Sequence, residues 1–240
     1  TAPIRFGRRC NKCFNTYRPM NVIESLNYFI ARVGGDMERF GLSSNKRGDL
    51  WTLKQGVYRL DVFIHVSVGF SSGNNSNFHI NFNIYKNDLS KYAATVENRW
   101  RKLNSMPLLD FKLVLFSITD WQSLYEAAGI VDKGIWFASL KEMVANKNLE
   151  NHFNEMLGLA FDFYEKIQNF DFCMEQLKNK GMMRDGVNYL AMASSISTDY
   201  LNLKYDELKE SNSNKRSWNE AHMKELLRII ESDSFKSNVP

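Results

Sequence analysis

The chain has 240 residues, 44% hydrophobic and 24% charged, a globular composition with room for one large domain or two small ones. No run of eighteen apolar residues occurs, and the opening TAPIRFGRR has no apolar core behind its basic residues, so neither a membrane-spanning helix nor an uncleaved secretory signal is expected. Lys and Arg total 31 against 27 Asp and Glu, net +4, but residues 1–120 carry 17 basic and 9 acidic groups (net +8) and residues 121–240 carry 14 and 18 (net −4).

The first 23 residues hold Arg5, Arg8, Arg9, Lys12 and Arg18 with no carboxylate before Glu24. Such a cluster follows a polyanion through its phosphates or docks on an acidic protein surface, and residues 1–20 are read as a basic arm. Asn21 with Glu24 gives a capping-box signal. Val22, Ile23, Leu26, Phe29, Ile30 and Val33 then make an apolar stripe that predicts a helix over 21–33, stopped by Gly34-Gly35.

From Val57 the period changes to two. Tyr58, Leu60, Val62, Ile64, Val66, Val68 and Phe70 share one face, with Arg59, Asp61, His65 and Ser67 on the other. After the polar loop 71–77, Phe78, Ile80, Phe82 and Ile84 alternate with His79, Asn81, Asn83 and Tyr85, so the two segments predict a long antiparallel hairpin. Asp88 is read as the cap of a helix whose apolar positions are Leu89, Tyr92, Ala93, Val96, Trp100 and Leu103. Leu108–Ile118 is expected to form a third strand, too continuously apolar to be exposed on either face. Thr119 with Gln122 reads as a capping box opening a short helix stopped by Gly129.

Beyond that point the pattern is helical. Phe153, Met156, Ala160, Phe163, Ile167, Phe170, Met174 and Leu177 alternate steps of three and four, which predicts one long helix over 149–177 packed against another helix. Further helices are expected over 186–210 and 218–231, the last opened by Ser217 with Glu220. The fold class is α+β: a mixed N-terminal part (21–120) with the hairpin and a third strand, and a mainly helical part (121–240), with one continuous domain over both as the alternative.

Several residue groups are candidates for chemistry. Cys10 and Cys13 have zinc-knuckle spacing, but they are half a site, and the further ligands Cys173, His65, His79, His152 and His222 are not paired at metal spacing. Three cysteines are too few and too odd in number for a disulfide framework, which fits a reducing compartment. His65 and His79 fall on the polar faces of adjacent strands, where two imidazoles could act as general base and acid on a phosphodiester with Ser67 steadying an oxygen. Asp110 and Lys112 have the Asp-x-Lys order of metal-dependent nucleases, with Asp61 or Asp88 as the second carboxylate. No glycine-rich phosphate loop is present, and no cofactor is expected. Arg47-Gly48-Asp49 spells an adhesion tripeptide that also arises by chance. Asn98-Arg99-Trp100-Arg101-Lys102 interleaves an indole with three cations; Trp100 lies on the apolar stripe, while Arg99, Arg101 and Lys102 are candidates for phosphate contact.

Ala160-Phe-Asp-Phe-Tyr-Glu165 resembles a hexapeptide of the coat proteins of flexuous filamentous plant viruses. The resemblance spans six residues, the hairpin and the rest of the helical segment depart from that family, and no residue role comes with it. The sequence therefore points to a non-enzymatic assembly protein of viral nucleocapsid, coat or other virion type. Its expected partners are other copies of the same chain and RNA, with no membrane, in the cytoplasm or virion. The grounds are the opposite charge of the two halves, a basic arm without acids, and an aromatic-rich, proline-poor composition that expects both tails to be held by contacts. A phosphodiesterase or nuclease is the alternative, and a subunit of a large cellular complex a third reading.

Overall fold

Two eleven-residue strands organise the molecule. In the computed structural model, which describes residues 22–68, 76–119, 149–180, 183–214 and 218–233, they are β3 (Tyr58–Val68) and β4 (Ser76–Lys86), paired antiparallel along their full length. Before them come helix α1 (Val22–Arg39), the two-residue strand β1 (Ser43–Ser44) and β2 (Leu50–Gln55). After them come α2 (Asn87–Leu103) and β5 (Phe116–Thr119). The five strands form one antiparallel sheet in sequence order, β1-β2-β3-β4-β5. The rest is helical: α3 (Leu149–Lys166), α4 (Phe170–Lys180), α5 (Met183–Ser194), α6 (Thr198–Asn212) and α7 (Glu220–Ser232). The architecture is α+β, as the sequence periods require.

The alternation on the hairpin decides which sheet face is buried. Tyr58, Leu60, Val62 and Ile64 from β3 and Ile80, Phe82 and Ile84 from β4 are all buried, and the register sets Val62 opposite Phe82 and Leu60 opposite Ile84. Trp51, Phe116 and Ile118 extend this face across β2 and β5. Helices α1 and α3 meet through the Phe29–Phe153 edge contact at 5.3 Å, and α3 reaches the sheet through Phe116–Phe163, also at 5.3 Å. One apolar cluster runs from α1 through the sheet to α7; each fully buried large side chain in it contributes about 1.5–3 kcal/mol.

Several boundaries differ from the sequence expectation. Helix α1 does not stop at Gly34-Gly35 but continues to Arg39. A Cβ on Gly34 would lie in ordinary van der Waals contact, 3.6 Å from the Trp51 ring, and burial of Val33, Met37 and Trp51 outweighs the roughly 1 kcal/mol of helix propensity each glycine gives up. The stop is Gly41 at φ 77°: Gly41 N–H donates to Glu38 O at 2.9 Å and Leu42 N–H to Met37 O at 3.1 Å, a Schellman closure. β1 and β2 were not expected. Asp88 is not the cap of α2; that position is Lys86, whose side chain makes no capping bond, and Asp88 sits in the first turn, where its charge favours the helix dipole.

The predicted strand over 108–118 is a strand only from Phe116. Leu113, Leu115, Phe116 and Ile118 are buried, but Leu108 and Phe111 are exposed, so the expectation that this run is covered on both faces is corrected. The predicted helix over 149–177 is two helices, α3 and α4. Asn169 interrupts it, accepting from Phe172 N–H through Oδ1 at 3.0 Å as the cap of α4, while the apolar seam on both sides stays buried. Likewise the helix expected over 186–210 is α5 and α6, separated where Ser197 Oγ accepts from Tyr200 N–H. Helix α7 is capped by Asn219, which accepts from His222 N–H at 3.0 Å, rather than by Ser217. The arm 1–20, Asn21, the loop residues 71–75, the helix expected after Thr119 and the cap Ser217 lie outside the described residues.

Candidate functional site

Helix α2 follows β4 without a loop, and its outer end carries the cation-rich segment singled out in the sequence. Trp100 is half-buried. Its Nε1 donates to Glu225 Oε2 at 2.7 Å, and its ring lies 3.8 Å from the His222 ring, so the indole is engaged with α7. Arg99 pairs with Asp233. Arg101 donates from Nε to Glu97 Oε1 at 2.9 Å, and the other oxygen of Glu97 is 3.5 Å from His222 Nε2. Burial disfavours ionisation of Glu97, but the neighbouring His222 and Arg101 outweigh it and hold the carboxyl below its ordinary value. Of the three predicted phosphate-contacting cations, Arg99 and Arg101 therefore have carboxylate partners within the fold, and Lys102 is exposed.

Arg101 and Asn98 have a second task. Arg101 Nη1 donates to Pro107 O at 3.0 Å. Asn98 closes a two-point bond with Leu109, its Nδ2 donating to the carbonyl at 2.9 Å and its Oδ1 accepting from the amide at 2.6 Å. Farther along, Leu113 N–H donates to Ser90 O at 3.2 Å, and buried Asn188 on α5 donates to Val114 O at 2.9 Å. Residues 106–114 thus form a strap laid along α2 and fastened at Pro107, Leu109 and Val114 by side chains and at Leu113 by the backbone of Ser90, in place of a sheet neighbour.

The side chains that this strap turns outward are apolar. Leu103 is 73% exposed, Met106 41%, Leu108 60% and Phe111 51%. Eight large apolar side chains are exposed among the described residues, and four fall within the nine positions 103–111, the last residue of α2 and the first part of the strap; that clustering, rather than any single exposed leucine, sets this segment apart from the rest of the described surface. Lys102, Asp110 and Lys112 lie beside them, all exposed. The sequence named Asn98, Arg101, Asp110 and Lys112 but for other roles, and it missed Leu103, Met106, Leu108 and Phe111 as a surface. The readable signal was Pro107, which breaks the helical pattern, followed by charges at Asp110 and Lys112 within the apolar run.

The other candidates are dispersed. Arg5, Arg8, Arg9, Lys12, Arg18, Cys10 and Cys13 lie outside the described residues. The register sets His65 directly opposite His79, as the hairpin requires; their side chains, like those of Ser67 and His152, lie outside what is described. Asp61 is buried and engaged by Arg59 at 2.8 Å and by Thr52 Oγ1 at 2.9 Å, with Arg59 also lying 4.4 Å over the Tyr85 ring. Asp88 is exposed at the start of α2 and Asp110 on the strap. Burial pushes the Cys173 thiol up to about 12, so it remains protonated and does not offer a thiolate to a metal. No group of three His, Cys, Asp or Glu is placed to hold a metal ion among the described residues. Arg47-Gly48-Asp49 forms a turn in which Asp49 accepts from Asn45 Nδ2 at 2.6 Å; Gly48 stands at φ 74°, with room for a Cβ denied by Ile30 Cδ1 at 2.5 Å.

Comparison with protein-family models, curated proteins and solved structures gives no match to this chain. No helix among the described residues is long and apolar enough to cross a membrane.

Proposed function

We propose that this chain is a non-enzymatic structural protein that associates with further copies of itself, in the manner of a viral nucleocapsid or coat subunit, in the cytoplasm or in a virion. The observation that carries the reading is the end of α2 and the strap after it: Leu103, then Met106, Leu108 and Phe111, are exposed close together in the chain, on a strap fixed by Asn98, Arg101, Ser90 and Asn188. Keeping such a surface apolar in water is unfavourable, and docking another protein surface on it relieves that. RNA is the cargo that the charge distribution favours. The five cations before Glu24, uninterrupted by any carboxylate, suit phosphate neutralisation, whereas Arg99 and Arg101 already have carboxylate partners.

Sedimentation of the full chain tests the first half of this reading. Association that grows with protein concentration is expected, and a monomer at all concentrations at both about 50 mM and about 500 mM salt refutes it. The second half is tested by replacing Arg5, Arg8, Arg9 and Lys12 together by Ala. The dependence of RNA affinity on salt flattens by up to about four in log–log slope if each cation meets a phosphate; an unchanged slope clears the arm of that role.

A further inference from the structure

The partner surface for the strap can be sought on the same chain. Helix α6 buries Leu201, Tyr205, Leu208 and Asn212. Its other face presents Asp199, Leu203, Asp206 and Glu210, spaced four, three and four apart and therefore aligned on one side of the helix; all four are exposed. Leu203 is 54% exposed, and Ile196, in the turn just before the helix, is 59% exposed. The lysines nearest in sequence are committed elsewhere: Lys204 binds Glu207 at 2.8 Å and Lys209 binds Glu220 at 2.7 Å. Among the described residues no cation stands within ion-pair distance of Asp199, Asp206 or Glu210. The result is an apolar pair set among three carboxylates that have no ion-pair partner among the described residues, with Lys209 near enough to Asp206 to be felt by it.

The strap has the opposite arrangement. Its apolar residues lie between Lys102 and Lys112, neither of which has a carboxylate within ion-pair distance among the described residues, and Asp110 is the one acid among them. We infer that the strap receives the acidic face of helix α6 from a second copy of this chain. The inference rests on the self-association proposed above and names its two surfaces. Leu203 and Ile196 of one copy meet Leu108 and Phe111 of the next, with Asp199, Asp206 and Glu210 against Lys102 and Lys112. Pairing of strap with strap would instead oppose lysine to lysine. Made once between two copies, the contact is head-to-tail and, repeated, generates a ring or a filament; made reciprocally by the same two copies, it closes a two-fold dimer. A specific interface takes about 800 Å² from each partner; the strap and the α6 face supply its apolar anchor, and the charges set orientation and partner choice.

Charge reversal on the full chain tests this. Lys102→Glu with Lys112→Glu, and separately Asp199→Lys with Asp206→Lys, are each expected to weaken self-association about tenfold or more. The variant carrying all four changes is expected to recover most of it. Leu108→Ser with Phe111→Ser is expected to weaken it without charge change. All these positions are exposed, so circular dichroism should match the parent protein, while thermal unfolding should fall only modestly, because Asp199 lies in the first turn of α6 and Lys102 in the last turn of α2, where reversed charge opposes the helix dipole. A parent protein that associates while neither reversal weakens it overturns these surfaces and leaves the assembly reading standing, as does a fourfold variant no better than its parts. A parent protein that never associates removes both. Loss of RNA binding with association intact in the Lys102, Lys112 variant would assign the strap to nucleic acid and refute the protein contact.

Discussion

Removing the Asn98 carboxamide should loosen the strap while leaving the rest of the fold intact. Asn98 is the one side chain that holds both polar groups of a single strap residue, at 2.6 Å to the Leu109 amide and 2.9 Å to its carbonyl. In Asn98→Ala these two groups lose their partners. A bond of this kind contributes about 0.5–1.5 kcal/mol, and more where the orphaned group is shielded from water. Leu109 is only half-buried, so water repairs part of the loss, and alanine adds about 0.5 kcal/mol of helix propensity within α2. The net expectation is a destabilisation of about 1–2 kcal/mol. Asn98→Asp keeps an acceptor for the amide but sets a carboxylate against the Leu109 carbonyl, so it should be no milder. Urea unfolding gives the global number, and amide exchange at Leu109 gives the local one, with protection lost there but retained at Leu115, which donates to Ile84 O at 2.7 Å. Should Asn98→Ala stay within about 0.5 kcal/mol of the parent protein with Leu109 exchange unchanged, the strap is held by something other than Asn98.

Gly41→Ala puts a Cβ at φ 77° and should cost about 1–2 kcal/mol in thermal unfolding; a neutral result would mean that the turn after α1 relaxes. Phe82→Ala, emptying a fully buried position at the middle of the sheet, should cost about 3–5 kcal/mol by urea titration, whereas Phe111→Ser on the strap should stay within about 0.5 kcal/mol; equal effects would contradict the exposure of Phe111. Stability should also fall in acid. The folded Glu97 carboxyl titrates below its ordinary 4.5, so its contribution is complete above the unfolded value and disappears as the pH drops through the folded one. Unfolding free energy measured from pH 7 down to pH 3 should therefore decline below about pH 4.5, and less steeply in Glu97→Gln, which begins from a lower value at neutral pH.

The hairpin was legible because both eleven-residue strands alternate with few exceptions, Phe63 and Tyr85 on the outer face among them, which leaves one possible buried face, and the register follows once that face is chosen. β2 was not, since Leu50–Gln55 offers only three inward positions and ends at a glycine turn. Gly34 misled for a different reason: burial of Val33, Met37 and Trp51 carries the helix past it, a tertiary effect invisible to a local pattern. Asn169 and Ser197 were visible as potential caps, but unbroken apolar spacing across Phe163, Ile167, Phe170 and Met174 hid the break that Asn169 makes. The surface was least legible of all. The segment 98–102 was noticed for its charge, yet what Arg99 and Arg101 do depends on Asp233, 134 positions away, and on Pro107 around a turn. The apolar run after Pro107 reads as core throughout, because hydrophobicity alone does not distinguish Leu113, facing α2, from Leu108, facing outward.

The sheet is narrow at its rims. One outer member is the two-residue β1 and the other the four-residue β5, against eleven in each central strand. Among the described residues, so short a ladder gives a neighbouring chain little main chain to zip onto beside β1 or β5, whereas the far end of the hairpin, 65–68 and 76–80, extends past the last pairs with β2 and β5. Main-chain stacking beside the two short strands is thereby disfavoured, and contacts there are left to side chains, which salt, acidity and single substitutions can tune or reverse.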